Sequence, residues 1–145
     1  MIAVPGVYQL RIRLRWSVTM EVGALGRRRF SAGWYVYTGS ARSGLTQRVR
    51  RHLRREKRRH WHIDYLLAVA DRVEAFVLPG SDVTECELHQ ELSGGRCAIR
   101  GFGSSDCRCL SHLAYFPRRP DIRLMPWTHF VEDPPGPDRA TCPRR

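Results

Sequence analysis

The sequence predicts an α/β (α+β) fold, a small and mostly antiparallel sheet flanked by helices. Three observations predict it. Residues 7–16, VYQLRIRLRW, alternate strictly, with Tyr8, Leu10, Ile12, Leu14 and Trp16 on one face and Gln9, Arg11, Arg13 and Arg15 on the other. That period of two belongs to a half-buried strand. After Gly44 the apolar spacing changes to every third or fourth residue, the period of a helix. The order is strands first, then helix, helix, strand, helix, which suits a two-layer sandwich. With 145 residues the chain has room for one domain with a modest core.

Taken in order, residues 17–22 (SVTMEV) continue the alternation, Gly23 to Gly26 reads as a turn, and 29–39 form an aromatic-rich strand. Leu45, Val49 and Leu53 make a narrow apolar stripe on an arginine-rich helix. A second helix is expected over about 61–72, where Ile63, Leu66, Leu67 and Ala70 give the i, i+3, i+4, i+7 pattern. Residues 73–79 read as a strand. Thr84 and Glu87 stand at capping-box spacing and open a third helix. GFGSSDC (101–107) is a loop by composition, and 111–116 a short late strand. Seven of the nine prolines follow from Pro117 onward. The expected organisation is therefore a domain over 1–116, a surface wrap over 117–131 and a disordered Pro/Arg-rich tail over 132–145.

The formal net charge is +11, and it is concentrated: residues 42–60 hold nine Lys/Arg and one Glu. A cationic cluster of this density attracts polyanions by counterion release, and nucleic acid is the commonest such partner. Lys57 is the only lysine, so nearly all of this charge sits on arginine, whose planar fork matches phosphate. No apolar run reaches the length of a membrane span, so no membrane association is expected. Five cysteines behind an N-terminus with no uninterrupted apolar stretch point to a reducing, cytoplasmic setting.

The chemistry is carried by two triplets and a helix. Gly6-Val7-Tyr8 starts the first strand, and Tyr37-Thr38-Gly39 ends a later one. Ser40 and Ala41 follow, then Gly44-Leu45, Arg48 and His52. This block resembles the GIY-YIG endonuclease superfamily. HWHIDYLL (60–67), ECEL (85–88) and GFGSSDC further resemble the branch found alone or fused to endonuclease III-like glycosylases. The resemblance covers roughly residues 4–116.

It implies a metal-dependent endonuclease that hydrolyses phosphodiester bonds in DNA, is structure-selective, and is linked to repair or recombination. One divalent cation, Mg²⁺ or Mn²⁺, would be held by a third-helix acid, Glu87 ahead of Glu85 and Glu91. Tyr8 would position or deprotonate the attacking water, Tyr37 would line the same pocket, Arg48 would neutralise phosphate charge and His52 would assist. A phenol titrates near ~10, so a tyrosine base needs neighbouring cations to favour its phenolate. Arg48 and His52, at i and i+4, project from one side of their helix. Arg42, Arg50, Arg51, Arg54, Arg55, Arg58 and His60 are expected to hold the nucleic-acid backbone, DNA first and RNA as the alternative.

This sequence departs from the family pattern in having no asparagine, a longer gap between the two tyrosines, and Thr38 within the second triplet. The long gap implies an inserted strand. The departures keep open a catalytically inactive nucleic-acid-binding accessory module, with a base-excision-repair enzyme as partner. A zinc-stabilised interaction domain is a third reading, using Cys86, Cys107, Cys109 and His112. Its C-x-C spacing is poorer than the usual C-x₂₋₄-C, so buried thiols are preferred there. His60 and His62 point about 200° apart on a helix and do not share an ion; capping or packing is expected of His62 and Asp64. For Trp61, base stacking and core packing remain equal alternatives.

Overall fold

The alternation of the first segment becomes the central strand of a six-stranded antiparallel sheet. A computed structural model describes residues 5–54, 56–80, 84–90, 92, 95–97, 99, 102 and 111–130. The elements are β1 (Gly6–Leu14), β2 (Val18–Glu21), β3 (Arg27–Phe30), β4 (Gly33–Ala41), α1 (Leu45–Leu53), α2 (His62–Val69), β5 (Arg72–Pro79), α3 (Glu85–Gln90), β6 (Arg96–Cys97), β7 (Leu113–Phe116), β8 (Met125–Pro126) and α4 (Trp127–Phe130). The sheet order is β6-β7-β4-β1-β5-β8, and β2 and β3 form a separate hairpin. Among the described residues no helix is long and apolar enough to cross a membrane.

Alternation divides the sheet into two faces. One carries Tyr8, Leu10, Ile12 and Leu14 of β1, and α1 and α2 cover it with Leu45, Val49, Ile63 and Leu66, all buried in one cluster. Burying each large aliphatic side chain there contributes about 1.5–3 kcal/mol. The β2–β3 hairpin adds Val22 and Phe30 to that cluster. It occupies the long gap between the tyrosine triplets as a two-stranded unit, joined by a 3₁₀ turn at Gly23–Leu25. The opposite face carries Gln9, Arg11 and Thr38, all buried. Arg11 is tolerated because its Nε donates to Glu74 at 2.9 Å and its Nη1 to the Pro120 carbonyl at 2.9 Å. Leu88 of α3, Leu92 and residues 117–124 enclose a cleft of about 540 Å³ against Gln9 and Phe116.

Some elements differ from the sequence expectation. The second helix stops at Val69, three residues short, because Ala70 turns extended and the Asp71 N–H bonds the Arg13 carbonyl, extending the β1–β5 ladder. Strands β6 and β8 and the helical turn α4 are too short to show a period. β8 pairs Phe76 with Pro126 and Val77 with Met125 at the sheet edge, where a proline lacking an N–H is acceptable. The GFGSSDC loop lies outside the described residues apart from Phe102.

The glycines of the two triplets have steric causes. In the β1–β4 register Tyr8 faces Gly39 and Leu10 faces Tyr37. A Cβ on Gly39 would stand 2.5 Å from Tyr8 Cζ, so only glycine lets the phenol ring lie across the partner strand. A Cβ on Gly6 would meet Leu45 Cδ2 and the Leu78 carbonyl, both at 2.8 Å. Gly44 opens α1 at φ +77, a conformation that side chains rarely adopt. Gly39→Ala is expected to destabilise the fold by about 1–3 kcal/mol through overpacking against Tyr8. A urea midpoint lowered at unchanged m-value checks this; an unchanged midpoint would mean that the ring has somewhere else to go.

Candidate functional site

Four of the sequence-predicted residues converge where the ends of β1 and β4 meet α1. Tyr8 lies on β1 and Tyr37 on β4, with ring centroids 6.4 Å apart. Arg48 and His52 come from α1 one turn apart, as their spacing requires. The Tyr8 hydroxyl and His52 Nε2 lie 2.8 Å apart, a hydrogen bond joining residues 44 positions apart in sequence. The Tyr37 ring centroid stands 6.3 Å from that of His52. Arg48 donates from Nη1 to the Ser40 carbonyl at 2.9 Å, tying α1 to the end of the second triplet.

The pair is sealed. Tyr8 is 1% exposed and His52 2%. Burial, reinforced by the positive charges of Lys57, Arg48 and Arg51, pushes the His52 pKa down to about 3, against an opposing pull from Asp64. The imidazole is therefore neutral at pH 7 and able to accept or donate one hydrogen bond at Nε2. Its Nδ1 is buried and meets no hydrogen-bond partner among the described residues.

Asp64 organises the basic segment above this pair. Its carboxylate accepts Arg51 Nη1 and Nη2, each at 2.9 Å, and the backbone N–H groups of His60 at 2.7 Å and Trp61 at 2.9 Å. Asp64 is the third residue of α2, so its bond to the Trp61 N–H is the reaching-back half of a capping box. Burial alone would raise its pKa, but the Arg51 fork, the two N–H groups and the Arg51 charge outweigh this and hold it low. The side chain of Trp61 is thereby fixed between two guanidinium groups, with Arg48 Cζ 4.6 Å and Arg51 Cζ 4.4 Å from its ring centroid. Its ring centroid also stands 5.7 Å from that of His52, so Trp61 packs beside that imidazole.

The expected backbone-binding residues fall into two groups. Arg42 just before α1, Arg50 on it, and Arg54, Arg58 and His60 after it are exposed. Arg51, by contrast, has its guanidinium committed to Asp64 and the Arg58 carbonyl. Lys57 likewise points inward, donating to the His52 and Arg54 carbonyls. Arg55 lies outside the described residues.

Of the expected metal-ligand acids, Glu87 is exposed and engaged in the cap foreseen for it. Its Oε1 accepts the Thr84 N–H at 2.9 Å, while its own N–H donates to Thr84 Oγ1 at 3.1 Å. Glu85 lies on α3, and Glu91 lies outside the described residues. Among the described residues no group of three His, Cys, Asp or Glu could hold an ion. Mg²⁺ asks for less than such a cage, since it keeps several waters and takes one or two carboxylates besides substrate phosphate. The exposed carboxylate of Glu87 is an oxygen ligand of the right kind, but α3 packs through Leu88 against Gln9, on the face of the sheet opposite Tyr8 and His52. Of the expected zinc residues, His112 is buried immediately before β7, Cys86 lies on α3, and Cys107 and Cys109 lie outside the described residues.

A pH dependence follows from His52. Its folded pKa lies below the ordinary value, so below about pH 6.5 the unfolded chain takes up a proton that the folded chain refuses. Stability is complete above pH 6.5 and falls as pH drops toward 3, by up to about 1.4 kcal/mol per pH unit from this group. His62 and His89, also lowered by burial, add to the slope. Urea unfolding between pH 7.5 and 5 is expected to show a shallower slope in His52→Gln than in the wild type; equal slopes would contradict a buried neutral imidazole.

The chain belongs to the family described as domain of unknown function DUF123, whose family model matches residues 7–130. No curated protein and no solved structure matches it.

Proposed function

We propose that this DUF123 protein is an endonuclease that engages the phosphodiester backbone of DNA through its α1 cations and cleaves it beside the Tyr8–His52 pair. The observation that carries this reading is the 2.8 Å bond between those two side chains, with Tyr37 and Arg48 gathered around it. The four residues that the GIY-YIG resemblance marks out come from β1, β4 and α1 and gather at one place.

In this reading His52 orients the Tyr8 hydroxyl and holds its proton when the attacking water is aligned. An arriving phosphate offsets the cationic repulsion that helps to depress the His52 pKa, so substrate binding makes the imidazole a better base. Arg48 neutralises charge building on the phosphoryl oxygens. Trp61 packs beside the imidazole. The Mg²⁺ or Mn²⁺ ion that the resemblance implies would supply charge neutralisation at the phosphate and the leaving oxygen; its candidate ligands remain Glu87, Glu85 and Glu91, of which Glu87 stands on α3, packed through Leu88 on the Gln9 face. The exposed arginines grip phosphate without reading bases, which suits selection by DNA structure, as in repair or recombination.

A second reading, a non-catalytic nucleic-acid-binding module, is favoured by the near-complete burial of Tyr8 and His52. The two are separated by incubating the purified protein with supercoiled plasmid and with flap, fork and single-stranded DNA, and RNA, with and without Mg²⁺ or Mn²⁺. Tyr8→Phe and Arg48→Ala run alongside. Metal-dependent cleavage that falls by about 100-fold or more in both variants, with binding mostly kept, is the expected result. Binding without cleavage in every arm, indifferent to metal and to Tyr8→Phe, would support the second reading instead. In either case affinity should fall steeply with salt, with a log–log slope near −0.9 per phosphate contacted.

A further inference from the structure

The hairpin that fills the gap between the two triplets carries a positive charge of its own. Residues 13–29 hold five arginines and one acid, Glu21. Arg27, Arg28 and Arg29 of β3 are exposed, and none of them forms an ion pair among the described residues. β1 ends at Leu14, so Trp16, which the alternation places on the buried face, stands past the strand. It is 75% exposed, with Arg15 Cζ 5.9 Å from its ring centroid.

Arg29 meets Arg96 of β6 at a pocket of about 210 Å³ that Ser31, Tyr35 and Tyr115 also line. Two like charges share its wall, and no carboxylate lines it among the described residues. The Tyr35 hydroxyl donates to the Ser31 carbonyl at 2.6 Å, that of Tyr115 to the Ala32 carbonyl at 2.7 Å, and burial raises the Tyr35 pKa. The repulsion between the guanidiniums is relieved when an anion enters between them. Strand register puts this pocket on the sheet face that carries Tyr8. Ile12 pairs with Tyr35, Tyr35 with Tyr115 and Tyr115 with Arg96, four residues along the ladder from Tyr8 and Gly39. That is ~13 Å at the usual rise of a strand. Ala32 ties the segment after Trp16 to the same corner, since its N–H donates to Ser17 Oγ at 2.9 Å while its carbonyl accepts Tyr115.

We infer that this corner is a second nucleic-acid contact, in which Arg29 and Arg96 clamp one backbone phosphate and Trp16 offers its ring to an unpaired base. The inference rests on the proposed function only in taking nucleic acid as the partner. A guanidinium fork matches phosphate in shape as well as charge. About four nucleotides, at ~3.4 Å of rise each, span the distance between Tyr8 and the pocket. An exposed indole beside arginines is the stacking platform that single strands use. A fork or flap therefore engages the α1 cations through phosphate and this corner through its free strand.

The test measures the affinity of the full chain for labelled duplex, forked and single-stranded DNA in metal-free buffer over a range of salt. Arg29→Gln/Arg96→Gln should weaken forked DNA about tenfold and make the log–log salt slope shallower by about 0.7–0.9, the share of one phosphate. Trp16→Ala should weaken forked and single-stranded DNA about tenfold and leave duplex unchanged, with Trp16→Phe restoring most of the loss. Unchanged urea midpoints establish that the variants fold. An unaltered salt slope in the double variant overturns the clamp, and Trp16→Ala that binds every DNA like the wild type overturns the platform. Wild-type protein that ignores DNA but binds phosphatidylglycerol vesicles through Trp16 overturns both, making the corner a lipid contact. Without metal, binding is read apart from cleavage. A chain that binds through this corner and never cleaves fails the endonuclease reading alone; one that cleaves, with salt slopes indifferent to both arginines, fails this inference alone.

Discussion

The buried ion pair between Arg51 and Asp64 is the constraint on which the rest of the basic segment depends. Asp64 is fully buried in its side chain, while Arg51 keeps 20% of its own exposed. A carboxylate in that position is stable only because four N–H donors converge on it, two from the Arg51 fork and two from the backbone ahead of α2. Those donors come from both sides of the connection between α1 and α2. One group of atoms therefore sets how α1 meets α2, where residues 56–61 run, and where Trp61 sits. Loss of either partner would strand a buried charge, at a cost of about 3–5 kcal/mol.

The consequences reach the Tyr8–His52 pair through Trp61. With Arg48 and Arg51 against its ring, Trp61 packs beside His52, which is buried. Desolvation then keeps the imidazole neutral, and the three nearby cations reinforce the effect. Gly39 completes the arrangement from the other side, because its missing side chain is the space into which the Tyr8 ring folds. The two triplets thus act as one unit, glycine of one strand making room for tyrosine of the other.

Much of this was legible in the sequence. Strict alternation placed Tyr8 among Leu10, Ile12 and Leu14, and the structure keeps it on that face. The i, i+4 spacing put Arg48 and His52 on one side of α1; His52 is buried there, while Arg48 is half-buried and bonds the Ser40 carbonyl. Charge counting could not separate arginines that face outward from those that hold the fold together: Arg51 looks like Arg50 in sequence, yet one pairs with Asp64 and the other is exposed. The signal was Asp64 itself, an acid in the first turn of α2 following a run of cations. Arg96 was invisible for a different reason. It is a single arginine on a two-residue strand, and its neighbour Arg29 is distant in sequence, so only the fold brings them to one pocket. Strands of two residues, such as β6 and β8, show no period at all.

The most direct test of the central claim, a buried neutral imidazole bonded to Tyr8 and coupled to bound phosphate, is long-range ¹H–¹⁵N NMR of the histidine side chains. Spectra would be taken from pH 7.5 to 5 with and without a short DNA duplex, with His52→Gln to assign its signals. His52 should remain neutral across that range in the free protein, and its ¹⁵N shifts should move when DNA binds. A His52 that titrates near its ordinary value of 6.5 and ignores DNA would contradict the account.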